Sequence, residues 1–348
     1  MTTSDRMAKL QTDLLPREDA LKKFKEFDGC KEETVGGGAK VKFTSFDDTH
    51  VIMEHNKEEY KVGKEGFEKL CRIVGIPATY VEKTPWSLFY PHLQHWLTDK
   101  GMVVKYIQKT NSVDKDGRKK VVSFMKEGAS FYPVNNVLRI ADKFGTDYVV
   151  ESASEVTWRD ASFGIVFPKH EFEIKDKVSK GDYVYGGMKV KYSPIGEFPF
   201  KMSAFFMTLV CMNGMISANE IYKFSKKSAI NGEDEFIEQS FKTGLDVLGV
   251  EVGRIQALKD VKLTDGEHIV SYIHAMFDRA GMGHKSRTLI LERIQTAAPT
   301  DLYGLMNAVT AASHDVEENH RADVYDIQAL GGDLVNHAST CGTCHRPM

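Results

Sequence analysis

The chain has 348 residues, 42% hydrophobic and 27% charged, with a formal net charge of −3 and a pI near 6.5. That is ordinary globular composition, enough for one or two domains with a sizeable core. It excludes a disordered or collagen-like chain and a uniformly basic one, so any surface for a polyanion has to be local. No run of 18 apolar residues predicts a membrane span, the start Met1-Thr2-Thr3-Ser4-Asp5-Arg6 lacks the apolar run of a signal peptide, and the 5 cysteines form no disulfide framework, so the expected location is the cytoplasm.

In chain order, residues 17–29 read as a short helix closed by Gly29, and Val35-Gly36-Gly37-Gly38-Ala39 as a linker. The linker is not a phosphate loop, because no Gly-Lys-Ser/Thr follows it. Val41 to Tyr60 alternates well enough for two or three short strands. Phe67, Leu70, Cys71 and Val74 then fall at helical spacing, Gly75-Ile76-Pro77 stops that helix, and Ala78 to Lys83 forms a second. A core helix pair is preferred over a DNA-reading one, since Pro85 cuts the second helix short. Asp116-Gly117 marks a hairpin between Val103–Ile107 and Val121–Met125, with a basic tip that reads as solvated. His92 and His95, near Trp96, share a helix face that aromatic packing explains as well as a metal would.

From Tyr148 the sequence is strand-rich, at Val149-Val150, Glu155–Trp158, Ser162–Phe167, Glu171–Ile174 and Tyr183–Tyr192. Gly186-Gly187 admits two readings. In one continuous strand, Tyr183, Tyr185, Lys189 and Lys191 share a face. In a hairpin turned at Gly186-Gly187, the tyrosines join Met188, Val190 and Tyr192, and the lysines point away; this cleaner separation is preferred. Met202, Phe205, Phe206, Leu209 and Val210 give helical period, so a helix is expected from about Ser203 to an end at Asn213-Gly214, with Cys211 as a small buried hydrophobe. Helical patterns dominate 217–330, at 235–250, 268–279, Ser286–Thr296 and Asp301–Ser313. The order of elements predicts an α+β fold: antiparallel hairpins in the N-terminal and central parts and a mostly helical C-terminal third. The expected organisation is an N-terminal helix and short strands over 1–63, an α+β core over 64–216, a helical region over 217–330 and a Cys/His tail over 331–348.

Charge is uneven along the chain. Lys169 to Ser228 holds ten Lys, no Arg and six acids, hence +4 against −7 for the remainder, with ten Phe and Tyr. Lysines that track phosphates beside rings that stack on unpaired bases are what a single-stranded nucleic-acid groove needs. The candidate residues are Lys175, Lys177, Lys180, Tyr183, Tyr185, Lys189, Lys191 and Tyr192. The bland alternative is that the rings are core and the lysines meet water.

Gly181-Asp182-Tyr183-Val184, Ser193-Pro194-Ile195-Gly196 and Leu209-Val210-Cys211-Met212-Asn213-Gly214-Met215 together resemble the phage/plasmid-like family called domain of unknown function 932. Gly75-Ile76-Pro77, Tyr132-Pro133-Val134-Asn135-Asn136 and Leu305-Met306-Asn307-Ala308-Val309-Thr310 with His314 extend the likeness over about 64–330. The resemblance implies a cytoplasmic role in a bacterial host, in a genomic setting rich in replication and recombination proteins, and carries over no catalytic residue.

The tail contains His337, Cys341, Cys344 and His345, half of a standard zinc site completed to four donors by the histidines. The spelling Cys341-Gly342-Thr343-Cys344-His345 also matches haem attachment, which needs an exported setting that nothing here signals. Glu317, Glu318 and His320 read as surface. Three functions are therefore expected in turn: nucleic-acid binding, with single-stranded DNA first; a homo-oligomeric structural or host-interaction protein; and a zinc-dependent enzyme.

Overall fold

A computed structural model describes residues 14–35, 41–45, 50–151, 155–175, 182–208, 214–224, 233–263, 266–316 and 322–340. The Gly36–Ala39 linker, Lys177, Lys180, Cys211, Cys341, Cys344 and His345 lie outside them. The fold is α+β, built on two sheets.

Strand β1 (Leu14–Pro16) leads into helix α1 (Arg17–Lys23) and a 3-10 turn at Lys25–Phe27. The first sheet then forms from β2 (Cys30–Val35), β3 (Val41–Ser45), β4 (His50–His55), β5 (Glu58–Gly63), β6 (Val104–Val113) and β7 (Lys119–Lys126), in the order β2-β6-β7-β5-β4-β3. Strands from both sides of residue 63 thus share one sheet. Its pairs are antiparallel except β5 with β7. Between β5 and β6 run α2 (Lys64–Ile73), α3 (Ala78–Lys83) and α4 (Trp86–Gln94), the last continuing into a π-turn at His95–Asp99. The stripe Phe67, Leu70, Cys71 and Val74 packs on one face of the sheet, against Val62, Tyr106, Val121 and Phe124. Gly75, at φ +83°, closes α2: its N–H donates to Arg72 O at 3.2 Å and that of Ile76 to Cys71 O at 2.8 Å. The β6–β7 hairpin turns where expected, with Asp114 Oδ1 accepting from the N–H groups of Asp116 and Arg118 at 2.9 and 2.8 Å.

The second sheet is β1-β8-β10-β11-β12-β13, from β8 (Val149–Glu151), β10 (Ala161–Ile174), β11 (Asp182–Tyr192), β12 (Phe200–Thr208) and β13 (Gly214–Phe224), with β9 (Glu155–Val156) paired to β10. Helix α5 (Val134–Ala141) precedes it; α6 (Glu233–Ala257), α7 (Gly266–Ala280), α8 (His284–Ala297), α9 (Leu302–Ala311) and α10 (Ala322–Thr340) follow. Asp301 caps α9 through its side chain, which accepts from Gly304 N–H at 2.8 Å. Met188, Val190, Tyr192 and Met202 pack with Val137 and Leu138 of α5 and Ile237 and Phe241 of α6. Val184, Ala204 and Phe206 pack with Leu248 of α6 and with α9 and α10. The opposite face gathers Leu14, Val149, Val166, Tyr185, Phe205 and Met207, with Tyr325 of α10 against them. The two sheets meet where Ile107, Met125 and Ala129 bury against Ile195, beside Phe131 and Trp158.

Two local expectations are corrected. Gly186-Gly187 is no turn: β11 is one strand, so the continuous reading holds. Opposite it, β10 bulges, its register jumping from Val166↔Gly187 to Glu171↔Tyr185. A Cβ on Gly187 would stand 1.9 Å from Ile165 O, and one on Gly186 2.8 Å from Leu248, so close approach rather than turning demands the glycines. Nor is there a helix from Ser203; residues Phe200–Thr208 are strand β12. Both of its faces are buried, Met202, Ala204 and Phe206 on one and Phe205 and Met207 on the other. Apolar residues on both faces erase the two-residue alternation and imitate helical spacing. Strand β13 likewise occupies residues expected to begin the helical third.

Candidate nucleic-acid interface

The predicted groove does not form on β11. Tyr185, Lys189 and Tyr192 are 0%, 3% and 2% exposed, which removes them from any surface that could meet a base or phosphate. The Lys189 ammonium is paired with the Glu151 carboxylate and lies 5.3 Å from the Phe205 ring centre. Glu151 also accepts from Gln328 Nε2 of α10 at 2.7 Å. Burial opposes the charge on Glu151, yet Lys189 and the hydrogen bonds from Lys189 and Gln328 hold its pKa below the ordinary glutamate value. Tyr185 donates to Glu171 at 2.6 Å, and Tyr192 to the Tyr132 carbonyl at 3.2 Å. Lys191, half-buried, stands 4.1 Å from the Tyr325 ring centre, with Asp326 within electrostatic reach. Tyr183 is half-buried, and Lys175 is exposed on a backbone held by Gln256. The positive excess of this segment is thus partly matched from inside, by β8 and α10.

The first sheet presents a different arrangement. Lys109 of β6 lies opposite Lys120 of β7, and Lys120 lies beside Lys61 of β5. Their strand neighbours Gln108, Val121, Tyr60 and Val62 point to the helix-covered face, so the three lysines share the other face, one on each of three adjacent strands. Lys120 is exposed, Lys61 and Lys109 half-buried. Neither Lys109 nor Lys120 forms an ion pair among the described residues. Like charges directly across a ladder destabilise it. The next row shows what a neutralised one looks like: Lys42 faces Glu54, and Glu59 pairs with Arg118 at 2.7 Å. At the hairpin tip Arg118 and Lys119 are likewise engaged, by Glu59 and Asp116 and by Glu58. Beyond Lys109 on the same face, the half-buried rings of Phe131 and Trp158 pack against Ile107 and Met125.

Lys109 stands opposite Lys120 only because the β6–β7 register shifts between Lys109 and Val113; an unshifted hairpin would set Lys109 against Ser123. Lys61 joins them only through a parallel pairing across an intervening helical segment, for which no local signal exists.

Other chemistry is sparse. No group of three or more His, Cys, Asp or Glu that could hold a metal occurs among the described residues. His337 falls within α10, while Cys341, Cys344 and His345 lie outside the described residues. Burial pushes the thiol of Cys71 up to about 12 and that of Cys30 up to about 11, so neither is a ready nucleophile at neutral pH. His95 Nδ1 lies 2.9 Å from Asp99, and His92 meets the Tyr80 ring edge-on. No described helix is long and apolar enough to cross a membrane.

No family model, curated protein or solved structure matches the chain.

Proposed function

We propose that the protein binds single-stranded nucleic acid on the open face of its first sheet, the phosphates lying along Lys61, Lys120 and Lys109. The observation that carries this reading is the cross-strand row of three lysines, two of them without an ion pair among the described residues, on a sheet whose neighbouring row is neutralised. A phosphate chain relieves that repulsion, and Phe131 and Trp158 beside it offer ring surface to unpaired bases. The phage and plasmid setting implied by the sequence resemblance is in keeping with such a role. Binding of a fluorescent oligothymidylate, followed by anisotropy between 50 and 200 mM salt, tests it. Three neutralised phosphates give a slope of about −2 in log K against log salt, hence ~20-fold weaker binding across that range. The variant carrying Lys61→Gln, Lys109→Gln and Lys120→Gln flattens the slope to near zero. Salt-insensitive affinity, or none for any oligonucleotide, refutes the proposal.

A further inference from the structure

A second basic cluster lies where the two sheets meet, on elements separate from the lysine row. Lys69 of α2 and Arg159 of the turn between β9 and β10 converge on one carboxylate, Glu197, in the turn between β11 and β12. Lys69 reaches Oε1, while Arg159 Nε donates to Oε2 at 2.7 Å. Lys69 and Glu197 are only 17% and 18% exposed in their side chains, so this is an enclosed pair rather than a surface contact. Two more cations join it. Arg72 follows Lys69 at i+3 on α2, on the same side of the helix. Lys126 ends β7, the strand against which α2 packs through Gly66 and Val122. Lys69 and Arg159 therefore share one carboxylate, and Arg72 and Lys126 lie within electrostatic reach of the Lys69 ammonium.

The electrostatics agree with the geometry. Burial, then the charges of Arg72, Arg159 and Lys126, pull the Lys69 ammonium down to about 8. Four positive groups here meet Glu197 and, beside Arg159, Asp160, so positive charge is in excess, and an arginine fork with two ammonium groups suits a tetrahedral dianion.

We propose that Lys69, Arg72, Lys126 and Arg159 form a binding site for a phosphate-class dianion at the junction of the two sheets, with Glu197 as its internal competitor. Because Glu197 sits on the second sheet and Lys69 on the helix covering the first, an anion here exchanges one bridge between the sheets for another.

The test uses the full chain and inorganic phosphate, against chloride at matched ionic strength, by calorimetry and thermal shift. Wild-type protein shows phosphate-specific stabilisation. Glu197→Gln binds phosphate ~5-fold or more tightly, a gain that a misfolded variant could not give. Lys69→Met and Arg159→Met each lose ~10-fold or more, the scale of one charge-assisted hydrogen bond. Two oligonucleotides of one sequence, with and without a 5′-phosphate, separate the sources: preference for the phosphorylated strand identifies a terminal phosphate, and equal binding of the two alongside retained phosphate binding identifies the free anion. The variant lacking Lys61, Lys109 and Lys120 keeps this response, which separates the site from the single-strand reading. The proposal is overturned if wild type and Glu197→Gln both show no phosphate-specific effect, or if Lys69→Met and Arg159→Met bind phosphate as wild type does.

Discussion

Replacing Lys189 by Met isolates the buried pair that joins β8, β11 and α10. Lys189 and Glu151 are 3% and 5% exposed, and the carboxylate also accepts from Gln328 Nε2 at 2.7 Å and from the Gly164 N–H. Lys189→Met strands a buried carboxylate on neutral donors alone, a change that costs about 3–5 kcal/mol. With 348 residues and an unfolding entropy of about 2.1 cal/mol/K per residue, a chain melting as one unit loses about 4–7 °C in Tm. The doubly apolar variant Glu151→Met with Lys189→Met removes both charges and recovers most of that loss, because an apolar pair of similar volume needs no desolvated charge. Urea titration and calorimetry at pH 7 measure both. The pH dependence supplies an independent check. Glu151's folded pKa lies below its unfolded one, so its contribution is present above about pH 4.3, the unfolded value, and is lost as pH falls through the folded pKa. The deficit of Lys189→Met therefore narrows in acid. A single variant within ~1 kcal/mol of wild type, or a double variant no better than the single, refutes the reasoning.

Gly187→Ala forces Cβ toward Ile165 O and costs about 3 kcal/mol or more in chemical denaturation, whereas Gly63→Ala, with open space around it, stays within about 0.5 kcal/mol. His55 is buried with its Nδ1 3.1 Å from the Tyr106 hydroxyl, and burial lowers its pKa despite nearby Glu33. The folded state therefore favours the neutral ring: the contribution of His55 is constant above about pH 7 and falls as pH drops below 6.5 toward the folded pKa, and because burial shifts His170 the same way, His55→Gln lessens that slope in a pH series of urea midpoints without abolishing it. Asn56 and Lys57 turn the β4–β5 hairpin with φ of +51° and +66°, so Lys57→Gly creates an Asn-Gly turn and raises thermal stability by about 0.5–1 kcal/mol.

Much of the architecture was legible because local signals agreed with burial. The stripe Phe67, Leu70, Cys71 and Val74, the Gly75 stop and the Asp116-Gly117 turn each act within one or two turns of chain, and each stands where its pattern put it. The failures share one cause. Strands β11 and β12 are covered on both faces, so neither their glycines nor their aromatic spacing reports the backbone they adopt. A strand's two faces are distinguishable in sequence only when one meets water. The same coverage explains the site. Lys189 and Lys191 look like solvent lysines until Glu151 and α10 are placed beside them, and those partners come from 38 residues upstream and from well over 100 residues downstream. The Lys109–Lys120 pair was not legible because it depends on a register shift inside the hairpin, and the Lys69–Glu197 junction was not because no motif links a helix at 64–73 to a turn near 197.

The pairing of β1 with β8 has a consequence in time. Residues 30–126 make the first sheet entirely among themselves, so that sheet can assemble while the chain is still being synthesised. The second sheet cannot. Leu14 pairs with Glu151, and the cluster that holds it also needs Phe205, Met207 and Tyr325. Strand β1 must therefore wait unpaired until residues 149–151 exist, and uncovered until Phe205, Met207 and Tyr325 follow. Closing a loop that long is slow. Through the interval Leu14 is an apolar residue a chaperone would find exposed, and the arrival of Tyr325 on α10 completes its covering.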